Sequence, residues 1–193
     1  MPCPGGVEEI LMTYPSVTQV LGPWQDFSRV CPDKLAAACE RGSVLHRAFA
    51  SHALGLWKPE LPPEYQGYFN SFARWFDNTV EETLTVEGQL FCKKYRFCGH
   101  PDWIGIIKGD KSPTLIDWKT GQVQMKGHRL QIAAYHHLAQ EAYGVKRVLL
   151  VHPKPDGKVA KVPEHSGTLA HDFSLFLNAL AVFKYFKGGT HGN

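Results

Sequence analysis

Three side chains in the stretch GHPDWIGIIKGDKSPTLIDWKTG, residues 99–121, could do chemistry together: Asp102, Asp117 and Lys119. Two carboxylates offer hard oxygen ligands to a divalent cation, and a cation of that kind can activate water for attack on a phosphodiester. An amine beside them could orient the water or stabilise charge as it develops. Asp117 and Lys119 are two residues apart on a strand-like run, so both side chains point to one face. Asp102 follows a Gly-x-Pro break that could bend the chain. If the two runs pair as a hairpin, the two carboxylates can converge. Acid-x-Lys by itself is a weak signal, since 18 acids and 14 Lys in 193 residues give about one by chance. A second copy, Asp156-Gly157-Lys158, follows Pro155 and carries turn chemistry without an apolar strand around it. Asp117-Trp118-Lys119 instead follows Thr-Leu-Ile and precedes Thr120-Gly121, and that context selects it.

The elements that must position these residues can be read from periodicity. Residues 1–32 look irregular, with five prolines. PDKLAAACERGSVLHRAFASHALG reads as a helix, capped by Asp33, broken or kinked near Gly42 and ended by Gly55. PPEYQGYFNSFARWFDNTV is a second helix. Its Tyr65, Tyr68, Phe69, Phe72, Trp75 and Phe76 form one aromatic face, read as buried core rather than a base-stacking platform. Trp57, in the loop before it, has no assigned place. Three strands follow: TLTVEGQLF, KKYRFCGHPDWIGII and PTLIDWKTG, with IKGDKSP turning between the last two. HRLQIAAYHHLAQEAYG is a helix ended by Gly144, and KRVLLVHPK is a buried strand. KPDGK is a turn, VAKVPE a short strand and GTLAHDFSLFLNALAVFKYFKGG a final helix. The order α-α-β-β-β-α-β-(β)-α implies an α/β fold: a β-β-β meander, then a helical crossover to another strand of a mixed sheet.

Composition is consistent with a packed core, with 44% hydrophobic and 20% charged residues. No apolar run of about 18 residues predicts a membrane span. The acidic, Pro/Gly-rich N-terminus resembles neither a secretory signal nor an Arg-rich transit peptide, so a cytoplasmic, intracellular protein is expected. The net charge of +3 is uneven: residues 119–193 hold ten Lys/Arg against four Asp/Glu, and residues 1–118 hold eleven against fourteen. A basic half beside an acid-bearing half suits a polyanion held over carboxylates, although a merely solvated surface gives the same numbers. Five Cys occur without a C-x-x-C pair, which reads as free thiols, with Cys92 and Cys98 as packing residues rather than ligands.

The pattern GHPD…LIDWKTG…QIAAY resembles the PD-(D/E)xK nuclease superfamily, and within it the RecB-like nucleases. The matching residues are Asp102, Asp117 with Lys119, and the Gln-x-x-x-Tyr pair Gln131 and Tyr135 on the following helix. Upstream, RGSVLH resembles the family's Gly-Ser/Thr-x-x-His element, which places His46 as a further metal ligand. TVEG holds Glu87, matching an acid often found on the strand before. The resemblance runs from about Ser16 to Val151. It implies a restriction-endonuclease-like core, αβββαβ, with a mixed sheet flanked by helices. The length suits one domain, and with the order of elements it gives one nuclease domain over residues 1–193: a mainly helical part to residue 80, then a sheet-containing core with a C-terminal helix. Mg²⁺ or Mn²⁺ would be held by His46, Asp102, Asp117 and the Trp118 carbonyl, and Lys119 would assist the attacking water. In-line hydrolysis would release a 3′-hydroxyl. Members with an iron–sulfur cluster need three Cys near the C-terminus; no Cys follows Cys98, so no cluster is expected. No helicase motif is present, which points to a stand-alone, phage- or mitochondrial-type exonuclease of recombination, repair or replication. Its partners would be DNA, single-stranded or with duplex ends, and a recombination or single-strand-binding protein.

Each of these residues also has an ordinary reading. His46 could be a helix histidine, and Glu87 could face solvent. Gln131 and Tyr135 share a helix face and could be packing or surface. Lys126, His128 and Arg129, near that helix's start, could bind the DNA backbone with help from the helix N-terminus, or be solvated. Two rival functions stand beside the exonuclease: a structure-specific, junction-resolvase-like endonuclease, and a catalytically inactive DNA-binding module. The intact acids and Lys119 argue against the last.

Overall fold

A computed structural model describes residues 14–57, 59–121 and 126–187. Its helices are Val17–Leu21 (α1), Pro32–Ala53 (α2), Pro63–Thr79 (α3), Lys126–Tyr143 (α4) and Leu169–Lys187 (α5). Its strands are Val80–Val86 (β1), Leu90–Cys92 (β2), Phe97–Gly99 (β3), Trp103–Ile107 (β4), Thr114–Trp118 (β5) and Arg147–Val151 (β6). One sheet runs β1-β4-β5-β6, and β2 pairs with β3 in a separate ribbon. β1–β4 and β4–β5 are antiparallel, while β5–β6 is parallel, with α4 as the crossover that a parallel pair requires. The mixed sheet expected from the order of elements is therefore present.

Alternation along the strands sends residues to two layers. Trp103, Ile116, Trp118, Leu149 and Val151 pack with Leu45 and Phe49 of α2 and Phe69, Phe72 and Phe76 of α3. Ile104, Leu115, Val148 and Leu150 face the other way, onto Val17 and Val20 of α1, Ile132 and Leu138 of α4, and Phe176 and Leu180 of α5. The aromatic face of α3 is thus core, as its spacing predicts. Its centre is a stack of Phe49 on Phe72 with ring centroids 4.2 Å apart, and Trp118 stands edge-on to both, at 5.7 and 5.4 Å.

Several boundaries differ from the sequence reading. The first expected strand breaks after Val86: Glu87 takes a left-handed backbone, φ 49°, and the chain leaves β1 for the ribbon. The second breaks between Gly99 and Trp103, where Pro101 supplies no amide hydrogen for a ladder. VAKVPE forms only single bridges, Lys161 to His152 and Glu164 to Leu149. Residues 14–32 are not wholly irregular, because Ser16 and Gln19 build a capping box that starts α1. α2 runs unbroken through Gly42 and begins at Pro32, so Asp33 lies in the first turn instead of capping it. Its end is as expected: Gly55 has φ 65°, and the bonds Gly55 N–H to His52 O and Leu56 N–H to Ser51 O close a Schellman motif. Trp57 is 80% exposed.

The two helices on the second layer are tied by a buried charge. Asp172, in the first turn of α5, accepts from Arg129 Nε at 3.1 Å and from its second nitrogen at 2.9 Å, and from the Thr168 hydroxyl at 2.6 Å. Burial pushes the Asp172 carboxyl up, but Thr168 and Arg129 outweigh it and hold the group below its ordinary value of 3.8. A group depressed in this way contributes its full stability above that unfolded value and loses it as pH falls through the lower folded value. Asp172→Ala should therefore cost about 2 kcal/mol in urea unfolding at neutral pH. The gap from wild type should narrow as the measurement is taken further below about pH 4. A gap that is constant with pH would assign the loss to packing.

Candidate active site

The β4–β5 register pairs Trp103 with Ile116, and carried one residue further it sets Asp102 opposite Asp117. Because Ile116 and Trp118 enter the α2/α3 layer, Asp117 points the other way, toward α4. Lys119 shares that side. Its backbone N–H donates to Val151 O at 2.9 Å, extending the pairing with β6 just far enough to fix it. Lys119 Nζ lies 2.7 Å from Asp117 Oδ2, with the carboxylate only 2% exposed. Asp102 Oδ2 accepts the Trp118 N–H at 2.7 Å, so the first carboxylate is bonded to the backbone that carries the second.

The helical layers each add a reach across the end of the sheet. From α2, His46 Nδ1 stands 3.4 Å from Asp102 Oδ1, and its Nε2 is 3.0 Å from the Trp118 carbonyl. That oxygen can only accept, so Nε2 carries the proton and donates. From α4, Gln131 Oε1 accepts from Lys119 Nζ at 3.4 Å, and Gln131 Nε2 donates to the Tyr135 hydroxyl at 3.3 Å. Tyr135 is buried, and a Cβ on Gly99 would come within 2.7 Å of its ring, so the glycine is what leaves room for it. Burial pushes the Tyr135 hydroxyl far up, and it stays protonated.

Electrostatics divide the two carboxylates. Burial raises Asp117, and the like charge of Asp102 adds to it against the pull of Lys119. Burial also acts to raise Asp102, but His46, Lys119 and the Trp118 N–H outweigh it and hold this carboxyl low. Lys119 is pushed down by burial, yet Asp117 and Asp102 more than compensate, so it remains an ammonium and a donor. His46 follows the same pattern: burial lowers it, and the two carboxylates raise it further.

The donor set fits a divalent cation. Asp102, Asp117 and the Trp118 carbonyl offer oxygens, and His46 offers an imidazole that suits Mn²⁺ better than Mg²⁺. Asp117 Oδ2 has the Lys119 ion pair but no contact with the angles of a hydrogen bond, which leaves a buried oxygen short of a directed partner. Lys119 sets its positive charge against Asp117, and the two carboxylates favour the protonated form of His46.

Other residues singled out in the sequence fall outside this cluster. Glu87 is exposed, and among the described residues its carboxylate has no hydrogen bond or ion pair; its left-handed backbone turns it out of the strand. His128 is pushed down to about 4, by burial first and then by Lys119 and His152, so it is neutral at physiological pH. Arg129 forks onto Asp172 while remaining about half exposed. Lys126 opens α4, and its side chain lies outside what the structure describes. Lys158, of the second acid-x-Lys, is 76% exposed and pairs with Asp156 inside its own turn, 3.1 Å away.

Sequence reading missed the groove beside the cluster. A cavity of about 390 Å³ is lined by Lys119, Tyr68, His152, Lys154 and Lys161, among others. Burial, then Lys161 and Lys119, hold His152 neutral, a sign of positive field in the groove. Lys154 is set by its backbone N–H, which donates to the buried Ser71 hydroxyl at 2.9 Å. Only the basic bias of residues 119–193 hinted at this surface.

No curated protein sequence matches the chain significantly. The crystal structure of SSO0001 is similar at a TM-score of 0.41 and 15% identity, over 96% of this chain and 88% of that one, a likeness too low to carry an argument. The family model of the PD-(D/E)XK nuclease superfamily matches residues 25–181, a span that takes in α2, the whole sheet and every member of the cluster. The chain belongs to the PD-(D/E)XK nuclease superfamily, whose restriction-endonuclease-like core is the mixed sheet between its two helical layers.

Proposed function

We propose that the protein is a metal-dependent deoxyribonuclease, an exonuclease acting on single-stranded or end-containing DNA. The observation that carries this is the Lys119 ammonium 2.7 Å from Asp117, with Asp102 opposite, at the mouth of a lysine-lined groove. Asp102, Asp117, His46 and the Trp118 carbonyl would hold Mg²⁺ or Mn²⁺. Such an ion, when bound, supplies a Lewis acid for the phosphate and lowers the pKa of attacking water.

The chain's own groups have separable tasks. Lys119 stays protonated and can donate to a phosphoryl oxygen as negative charge builds there. Gln131 keeps that amine on the α4 side of the sheet, and Tyr135 keeps Gln131 in place. Lys154 and Lys161 would grip backbone phosphates without reading bases, which fits a nuclease of weak sequence preference. A single strand laid along the groove would bring its end to Lys119 and the acids. A junction-resolvase-like endonuclease on the same core is the second reading, and a closed circular substrate separates the two. Participation in recombination or repair, with a single-strand-binding or recombination partner, belongs to the same proposal. Among the described residues no helix is long and apolar enough to cross a membrane.

Lys119→Ala and Asp117→Asn should each lower cleavage of end-labelled DNA by about 10²-fold or more, with binding retained. Lys158→Ala should cleave like wild type. Loss of cleavage in Lys158→Ala, or full cleavage by Lys119→Ala, would show that the wrong motif had been chosen.

Linear single-stranded DNA should be degraded far faster than the same sequence as a closed circle. Affinity for it should fall steeply with salt, and Lys154→Ala with Lys161→Ala should reduce the log–log salt slope by about 1.4. Equal rates on circle and line favour the endonuclease, and an unchanged slope removes these lysines from the phosphate path.

A further inference from the structure

A second cluster lies on the α4 side of the molecule, away from the groove. Cys92 ends β2, and His137 and Glu141 stand one turn apart on α4. His137 Nε2 is 3.6 Å from Cys92 Sγ and 3.4 Å from Glu141 Oε1. One ligand atom from each residue falls within 4.8 Å of the others. A histidine–glutamate pair at this spacing is ordinary on a helix. A buried thiol converging on the same pair brings sulfur, nitrogen and oxygen donors, three of the atom types that ligate zinc, into one place.

We infer that Cys92, His137 and Glu141 form a second metal site, suited to Zn²⁺, that clasps the β2–β3 ribbon to α4. Tetrahedral zinc with bonds of about 2.3 Å to sulfur and about 2.0–2.1 Å to nitrogen and oxygen sets S···N at about 3.6 Å and N···O at about 3.4 Å. The observed separations are 3.6 and 3.4 Å. Burial pushes the Cys92 thiol up and Glu141 adds to it, so without an ion the sulfur keeps its proton, and a metal would displace that proton on binding. In the tight turn after Cys92, the backbone N–H groups of Tyr95 and Lys94 act the other way, the kind of support a metal-bound thiolate receives. Stacking of the His137 ring on Phe173, 4.1 Å between centroids, fixes its orientation. Burial keeps His137 neutral, the form that ligates. Glu141 is 48% exposed, which leaves a path for the ion and a fourth position for water. A thiolate in the set selects zinc over Mg²⁺ or Mn²⁺.

The clasp would act on the candidate active site through the frame. The ribbon runs from Gly99 through His100 and Pro101 directly into Asp102, and α4 carries Gln131 and Tyr135. One ion here would hold both leads together. It would be independent of catalytic metal.

The test is a Co²⁺ titration of the reduced full-length protein, followed by thiolate-to-metal charge-transfer absorption, which only a cysteine ligand produces. Wild type and Asp117→Asn should show the band, and stoichiometric Zn²⁺ but not excess Mg²⁺ should abolish it. Cys92→Ser and His137→Ala should lack it, while Cys98→Ser should keep it. Glu141→Gln, changed at the exposed end and so least disruptive to folding, should weaken Co²⁺ binding about tenfold or more. A folded wild type with no band, a band that survives Cys92→Ser, or an unchanged affinity in Glu141→Gln would each overturn the site.

Discussion

Two carboxylates face one another across the end of a hairpin, and one of them is nearly sealed from water. Taking an ion out of water costs several kcal/mol after relaxation, and a like charge alongside adds to that. The protein answers from both layers. Lys119, on the same strand face as Asp117, sets a protonated amine against it, and His46 reaches from the opposite layer to Asp102. The Trp118 unit connects the halves: its N–H bonds Asp102, and its carbonyl receives His46. The cluster is negative at its centre and positive at its rim, which is how a site poised for a cation and a phosphodiester should be charged.

Packing makes this arrangement rigid. Trp118 sends its ring into the stack of Phe49 and Phe72, so the peptide that links the two acids is anchored by three aromatic residues. Gly105 allows β1 to lie close, because a Cβ there would collide with the Glu82 carbonyl and the Trp103 ring. The Trp103 indole N–H in turn donates to Thr83 Oγ1 at 3.0 Å, locking β4 to β1. On the other layer, Gly99 admits the Tyr135 ring under the strand that leads to Asp102. Small residues at these two positions set how near the sheet, the ribbon and α4 come to the acids. The same frame carries Cys92 and His137, so the inferred clasp and the acid cluster share their supports.

How much of this was legible in the sequence depends on the range of each interaction. Asp117 and Lys119 could be placed on one face because strand alternation is local, and Asp102 could be set opposite because a short turn fixes hairpin register. Gln131 and Tyr135 meet as their spacing predicts. The family resemblance, not the spacing, singled out His46 among ten histidines. The bend before Asp102 was signalled by Gly99-x-Pro101, although the expected strand runs straight through it; the break at Glu87 was hidden, since the left-handed residue there is not a glycine. Position 87 therefore kept an acid the structure turns outward. His152 and Lys161 meet through a single bridge, and Cys92 lies 45 residues from His137, so no local pattern could join either pair. Arg129 was read as a free cation because its partner, Asp172, is 43 residues away.

The central claim is that the carboxylates and His46 form a cation site, and Mn²⁺ binding by calorimetry tests it without requiring a substrate. Wild type should bind Mn²⁺. Asp117→Asn should lose about tenfold or more in affinity, and His46→Ala should weaken Mn²⁺ more than Mg²⁺, because imidazole favours the softer ion. Equal Mn²⁺ affinity in wild type and both variants, with all three folded, would contradict the account.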